Sequence, residues 1–201
     1  MKIKFYSLWL CLICIIVFMM QLLIPGFTEF FVLNQASFFE VWRFLTSIFL
    51  HASVTHLLFN LFALGLFGII LEKLIGSNKF LIVFFASGII ANLIAVNFYA
   101  SSLGASGAIY GILGCLAVIR PLMMIWAFGF PMPMFIAAIL WVGAGVFGIF
   151  MPSNVGDIAH LSGIAVGFII GLILREWRTA KRELIRLPEG YMRNWEDRYV
   201  R

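Results

Sequence analysis

A serine, two histidines and an asparagine stand in apolar stretches of this chain that would otherwise face hydrocarbon. Ser106 follows Gly104-Ala105 and precedes Gly107 at the start of a short apolar run, and His160 sits near the start of another. His56 and Asn60 lie four residues apart in a third. A polar side chain left unpaired in hydrocarbon costs on the order of several kcal/mol, so a group of them asks for a joint explanation. The chemistry that suits these residue types is acyl transfer. Serine becomes a nucleophile when a neighbouring base takes its proton, and histidine is the usual base. The N–H groups in the first turn of a helix have no intrahelical partner and carry the positive end of its dipole. With the side chains of Asn60 and His56 they can hold a developing oxyanion.

Spanning helices must position these residues. The 201 residues are 63% hydrophobic and 11% charged, with a mean hydropathy of +1.06, a composition that excludes a soluble domain. Apolar runs of about 20 residues read as spans. They predict an all-α polytopic bundle of six helices near Phe5–Ile24, His56–Leu74, Phe80–Phe98, Ser106–Ile119, Phe135–Phe150 and Asp157–Leu174. Residues 1–174 then form one membrane domain, and residues 175–201 a basic cytoplasmic tail.

The charges give an independent check on that count. Alternating the loops puts Lys2, Lys4, Lys73, Lys79, Arg120 and the eight basic residues of the tail on one side, leaving Arg43 on the other. The positive-inside rule makes both termini cytoplasmic. A five-span count would spoil the asymmetry. Lys2 and Lys4 before an apolar run also suit a signal peptide, but the run is long and lacks an A-x-A-like exit, so it reads as the first span. The net charge of +5 comes mostly from the tail, a juxtamembrane segment suited to anionic lipid rather than to nucleic acid. Cys11, Cys14 and Cys115 fall inside spans, where a thiol stays protonated and packs. The first external loop, Pro25 to Thr55, mixes aromatic and charged residues from Ser37 to Leu50, which suggests short interfacial helices. The loop around Gly129, Pro131 and Pro133 is expected to cross the inner interface.

Depth counting places the polar residues in one layer. At ~1.5 Å rise per residue, Ser106 lies about 21 Å above Arg120 and His160 about 22 Å above Arg175. Counted from Lys73, Asn60 at about 20 Å and His56 at about 26 Å bracket that level. In a core of roughly 30 Å the layer sits on the order of 10 Å below the outer surface, within reach of water. His56 and Asn60 share a helix face, as do Ser106 and Tyr110. Gly163 and Gly167 follow His160 on one stripe, and Gly107, Gly111 and Gly114 thin the serine helix. Facing glycines let two helices approach closely, which would bring serine and histidine together. His51 reads as an interfacial hydrogen-bonding residue, Asn92 and Asn97 as structural, and Asp157 as a helix N-cap.

Taken together, the motifs resemble the rhomboid intramembrane serine proteases. The resemblance runs from Trp42-Arg43 through His56-x-x-x-Asn60 and Gly104-x-Ser106-Gly107 with Tyr110 to His160-x-x-Gly163-x-x-x-Gly167. It implies a catalytic dyad of Ser106 and His160, and an oxyanion hole formed by His56, Asn60 and the Ser106 N–H. It further implies that Tyr110 stacks on His160, that Trp42-Arg43 stabilises the first loop, and that Glu72 matches an acidic residue at the inner end of the second span. The implied partners are transmembrane protein substrates, cut near small and helix-destabilising residues. The fifth span and the Met151–Gly156 loop are the implied gate and cap. Without a soluble domain or a seventh helix, the chain suggests the minimal six-helix form typical of prokaryotic cell membranes, with its site open to the external side.

Neither metal nor cofactor is expected. A zinc protease would use His-Glu-x-x-His, and an aspartyl protease would need two intramembrane acids where Asp157 stands alone. Two other readings compete. A catalytically silent relative that binds membrane clients is disfavoured by the presence of both Ser106 and His160. A transporter would show paired broken helices and inverted repeats, which the sequence lacks.

Overall fold

The computed structural model describes residues 3–150 and 156–185 together with Arg198. Helix α1 (Tyr6–Leu23) leads into the short α2 (Phe27–Phe31), a two-residue strand β1 (Leu33–Asn34), and the single turn α3 (Arg43–Thr46). A long helix follows, built from α4 (Val54–Ala63), a π-helical turn over Leu64–Gly68, and α5 (Ile69–Ile75). Then come α6 (Ser77–Ala95), β2 (Ser101–Ser102), α7 (Ser106–Ile119), the strands β3 (Met124–Ala127) and β4 (Phe130–Pro133), α8 (Met134–Ile149) and α9 (Asp157–Ile185). Four helices are long and apolar enough to cross a membrane: Tyr6–Leu23, Val54–Ile75, Ser77–Ala95 and the Asp157–Glu176 part of α9. Ser106–Ile119 and Met134–Ile149 are apolar but shorter.

Helix α7 forms the centre of the bundle. Its run from Gly107 to Ile109 and from Gly111 to Val118 is buried, as befits an apolar helix enclosed on all sides. Glycine decides which neighbours reach it. A Cβ on Gly163 would overlap the Gly107 carbonyl, and one on Gly167 the Gly111 carbonyl. Gly114 lies in the same way against the Ile164 carbonyl. Helices α7 and α9 therefore meet backbone to backbone, as small residues allow in a membrane, where dispersion rather than water exclusion drives packing.

Two features of the connections go beyond the sequence expectation. The segment after α7 is a hairpin, with Met124 paired to Pro133 and Ala127 to Phe130. Its two turn residues, Phe128 and Gly129, have φ of 53° and 88°, the doubly left-handed turn whose twist suits a two-residue hairpin. Phenylalanine at the first of these positions hides the signal, and the prolines sit on β4, an edge strand, where a missing N–H is tolerated. The helix containing His160 continues past Leu174 to Ile185, so the first part of the basic segment is helical. The rest of that segment, apart from Arg198, lies outside the described residues, as does most of the Met151–Gly156 loop.

The first loop is stitched from inside. Arg43 is 6% exposed; its guanidinium pairs with Glu40 and donates to the Glu29 and Val32 carbonyls at 2.7 and 2.9 Å. Trp42 stacks on Phe30 with ring centroids 5.8 Å apart. A planar guanidinium with several fixed donors suits such a junction better than a lysine would. Strands β1 and β2 tie this loop to the segment that precedes Ser106, pairing Leu33 with Ser102 and Asn34 with Ser101. At the other end of the bundle, Glu72 is fully buried and accepts from Tyr6 N–H, Ser7 N–H and the Ser7 and Ser77 hydroxyls. These contacts clamp α1 against α5 and α6. Cys11, Cys14 and Cys115 are free thiols, the last two buried.

Candidate active site

Gly104 has φ of +125°, backbone that only glycine adopts readily, and its N–H donates to the Ser47 carbonyl at 2.9 Å. That anchor turns the chain into α7, so Ser106 becomes the first helical residue. The N–H groups of its first turn are then left without intrahelical acceptors. Across from it, His160 lies in the first turn of α9, its N–H bonded to the Gly156 carbonyl at 2.9 Å. The Tyr99 hydroxyl accepts the Ile158 N–H at 3.0 Å, satisfying another donor at the start of the same helix.

These anchors and the glycine contact between α7 and α9 bring the two side chains together. His160 Nε2 and Ser106 Oγ are 2.8 Å apart, within the range for direct proton transfer. The Tyr110 ring lies flat on the His160 ring, centroids 4.3 Å apart and planes 6° apart. Stacking leaves the imidazole little freedom to rotate away from the serine.

The second group comes from α4. Ser53 caps this helix by accepting the His56 N–H at 3.1 Å. Asn60 is 6% exposed and spends one N–H of its amide on the His56 carbonyl at 2.9 Å; the amide has a second N–H to offer. The His56 ring lies against Gly104, where a Cβ would stand 2.7 Å from Cε1 and 2.9 Å from Nε2. Glycine at 104 is thus required both by its φ and by this ring. His56, Asn60, Ser106, Tyr110 and His160 all line one cavity of about 980 Å³, which extends down the bundle to Trp126 and Trp141.

Not every residue singled out in the sequence joins this group. His51 is 1% exposed and makes the hydrogen bonds expected of it. Its Nδ1 meets the Phe49 carbonyl at 3.1 Å, and its ring lies edge-on to His56 with centroids 5.1 Å apart. Asn92 donates to the Phe44 carbonyl and Ser47 Oγ at 2.8 and 2.9 Å, while Asn97 bonds carbonyls of its own helix. Asp157 is not the N-cap but the first residue of α9, since Gly156 supplies the capping carbonyl. Its carboxylate packs where a Cβ on Gly148 of α8 would be. Asp157→Asn keeps that shape and removes a charge worth about 0.3–1 kcal/mol at a helix N-terminus. The variant's melting temperature is expected to stay within about 4 °C of wild type, as that small charge term allows for a chain of this size. Sequence reasoning gave no role to Gln21, Ala52 or Tyr99; the signal for Gln21 was an amide in an apolar span.

Comparison with known proteins adds the family. The rhomboid domain pattern matches residues 38–177. The chain belongs to the rhomboid family. It is 36% identical over 140 residues to YdcA of Bacillus subtilis, named as a candidate rhomboid protease, covering 67% of each protein. It is 37% identical to the rhomboid protease GluP of the same organism, over 67% of this chain and 26% of GluP. To the rhomboid protease GlpG of Yersinia pseudotuberculosis it is 29% identical, over 73% of this chain and 51% of GlpG. The match thus spans about half of GlpG and a quarter of GluP. A rhomboid with four long apolar helices is an integral membrane protein.

Proposed function

We propose that this rhomboid is an intramembrane serine endopeptidase that hydrolyses peptide bonds in or near transmembrane segments of membrane proteins, with Ser106 as nucleophile and His160 as general base. The observation that carries the reading is the 2.8 Å contact between Ser106 Oγ and His160 Nε2, with Tyr110 stacked on the imidazole. His160 takes the serine proton as Oγ attacks the scissile carbonyl carbon, and the carbonyl π pair moves to oxygen. The Ser106 N–H and the side chains of His56 and Asn60 hold that oxyanion. When the intermediate collapses, the C–N bond breaks and His160 gives its proton to the leaving amine. Water then attacks the acyl-serine with His160 again as base, which frees the new carboxyl end and restores Ser106. The stacked Tyr110 orients the imidazole, a task that falls to a carboxylate in three-residue sites. Trp42, Arg43, Gly104, Gly107, Gly163 and Gly167 serve by holding the loop and the helices in place.

In this reading α7 and α8 also cross the membrane, giving six spans with cytoplasmic termini and interfacial helices in the first loop. The site opens to the outside, and α8 with the Met151–Gly156 loop forms the gate and cap. Substrates are transmembrane proteins, anionic lipid contacts the basic segment, and no metal or cofactor takes part.

The test is covalent trapping alongside cleavage. The purified full chain is expected to cut a tagged single-span reporter and to take up a serine-directed fluorophosphonate at Ser106, located by peptide mapping. A chain that cuts no reporter and takes no label, while melting cooperatively, would end the protease reading.

A further inference from the structure

We propose that Gln21, on α1 and outside the dyad, is a positioning residue for the oxyanion hole, acting through one peptide group that sets the tautomer of His56. The proposal rests on the oxyanion role given to His56 above. Gln21 grips the backbone of His51 from both sides. Its Oε1 accepts the His51 N–H at 2.9 Å, and its Nε2 donates to the His51 carbonyl at 3.3 Å and to Thr28 Oγ1 at 3.0 Å.

The carbonyl of His51 and the N–H of Ala52 belong to the same peptide group. That group is planar and trans, so its C=O and N–H point in opposite directions. Fixing the carbonyl on Gln21 therefore aims the Ala52 N–H, which reaches His56 Nδ1 at 3.4 Å. A hydrogen bond to a carbonyl also polarises the N–H of its own peptide group, strengthening the donor. An imidazole nitrogen that accepts carries no proton, so the neutral ring keeps its proton on Nε2. Nε2 is the nitrogen that lies beside Gly104, next to the start of α7. The alternative tautomer would turn a lone pair toward the developing negative charge.

The neighbouring ring cannot do this work. His51 directs Nδ1 to the Phe49 carbonyl, which needs the proton there and leaves Nε2 as an acceptor. That Nε2 is buried and has no partner among the described residues. The Ala52 N–H is thus the donor that the structure assigns to His56 Nδ1, and Gln21 is what holds it.

The chain has three histidines, so ¹⁵N-histidine NMR of the full protein in micelles resolves the tautomers. Measured near pH ~8, where an unperturbed ring is neutral, wild-type His56 is expected to be protonated at Nε2, while His51 and His160 are protonated at Nδ1. Gln21→Met keeps the side chain's length and removes its amide, and should turn the His56 signal into a mixture of tautomers. Reporter kcat should fall about 10- to 100-fold, less than the loss from removing an oxyanion donor outright, with KM within about twofold. Gln21→Glu keeps the acceptor for the His51 N–H and should fall between. It also supplies the measurement if the methionine variant fails to fold. An unchanged His56 signal in a folded variant overturns the proposal, as does a wild-type kcat. If wild type cuts no reporter, the protease reading fails by itself, and the tautomer comparison still decides the role of Gln21.

Discussion

Ser106→Ala and His160→Ala are each expected to lower cleavage of a tagged single-span reporter by at least ~10³-fold, and the double variant no further. In the proposed mechanism the two groups act as a unit. Without the hydroxyl there is nothing for the imidazole to activate, and without the imidazole the hydroxyl keeps its proton at neutral pH. The effects are therefore grossly non-additive, and this separates a dyad from two residues that merely pack together. Turnover is followed by fragment yield on gels with the four proteins at equal concentration. Their melting temperatures should agree within a few degrees, because the contact at 2.8 Å is a single hydrogen bond worth about 1 kcal/mol to folding. Additive losses, or full activity in either single variant, would contradict the assignment.

Gly167→Val should be nearly as damaging to activity, and for a different reason. A Cβ at 167 overlaps the carbonyl of Gly111 on α7, and backbone cannot rotate aside as a long side chain can. Either α9 moves away from α7 or the helix bends. Overpacking of a tight contact costs typically 1–3 kcal/mol and sometimes more, which for a chain of this size corresponds to a melting point lower by roughly 2–12 °C. Since His160 sits seven residues earlier on α9, the same displacement opens the contact with Ser106. A shift of ~1 Å there is enough to cost about 100-fold in rate. Gly65→Ala is the control. Nothing lies within 4 Å of a Cβ at that position, and alanine is the better helix former, so stability should hold or rise slightly. Equal melting temperatures for Gly167→Val and wild type would show that the contact between the two helices is not close-packed.

Much of the helix placement was legible in the sequence. The segment Ser106–Ile119 was bounded correctly at both ends, because a glycine turn precedes it and an arginine follows it. The glycines of α7 and α9 fell on matching faces, since helical periodicity fixes which residues share a stripe. The hairpin between α7 and α8 was not legible. Its turn requires φ above zero at Phe128 as well as Gly129, and phenylalanine carries no local preference for that conformation. The partners of His51 were not legible either. Its backbone is held by Gln21 on α1, 30 residues earlier, and contacts of that kind have no period.

What the sequence determined by itself is the set of apolar helices, the common level of Ser106 and His160 along the bundle, and the small residues that allow their helices to touch. These follow from composition and from a fixed rise per residue. Tertiary structure alone decided how the side chains are oriented. The Tyr110 ring lies flat on His160, Gly104 yields its space to His56, and a glutamine on α1 holds the peptide that faces His56. Each of these depends on the direction of a side chain or a peptide plane set by residues distant in the chain. Sequence spacing determines which groups can approach one another, and packing determines which atom of each group faces the other.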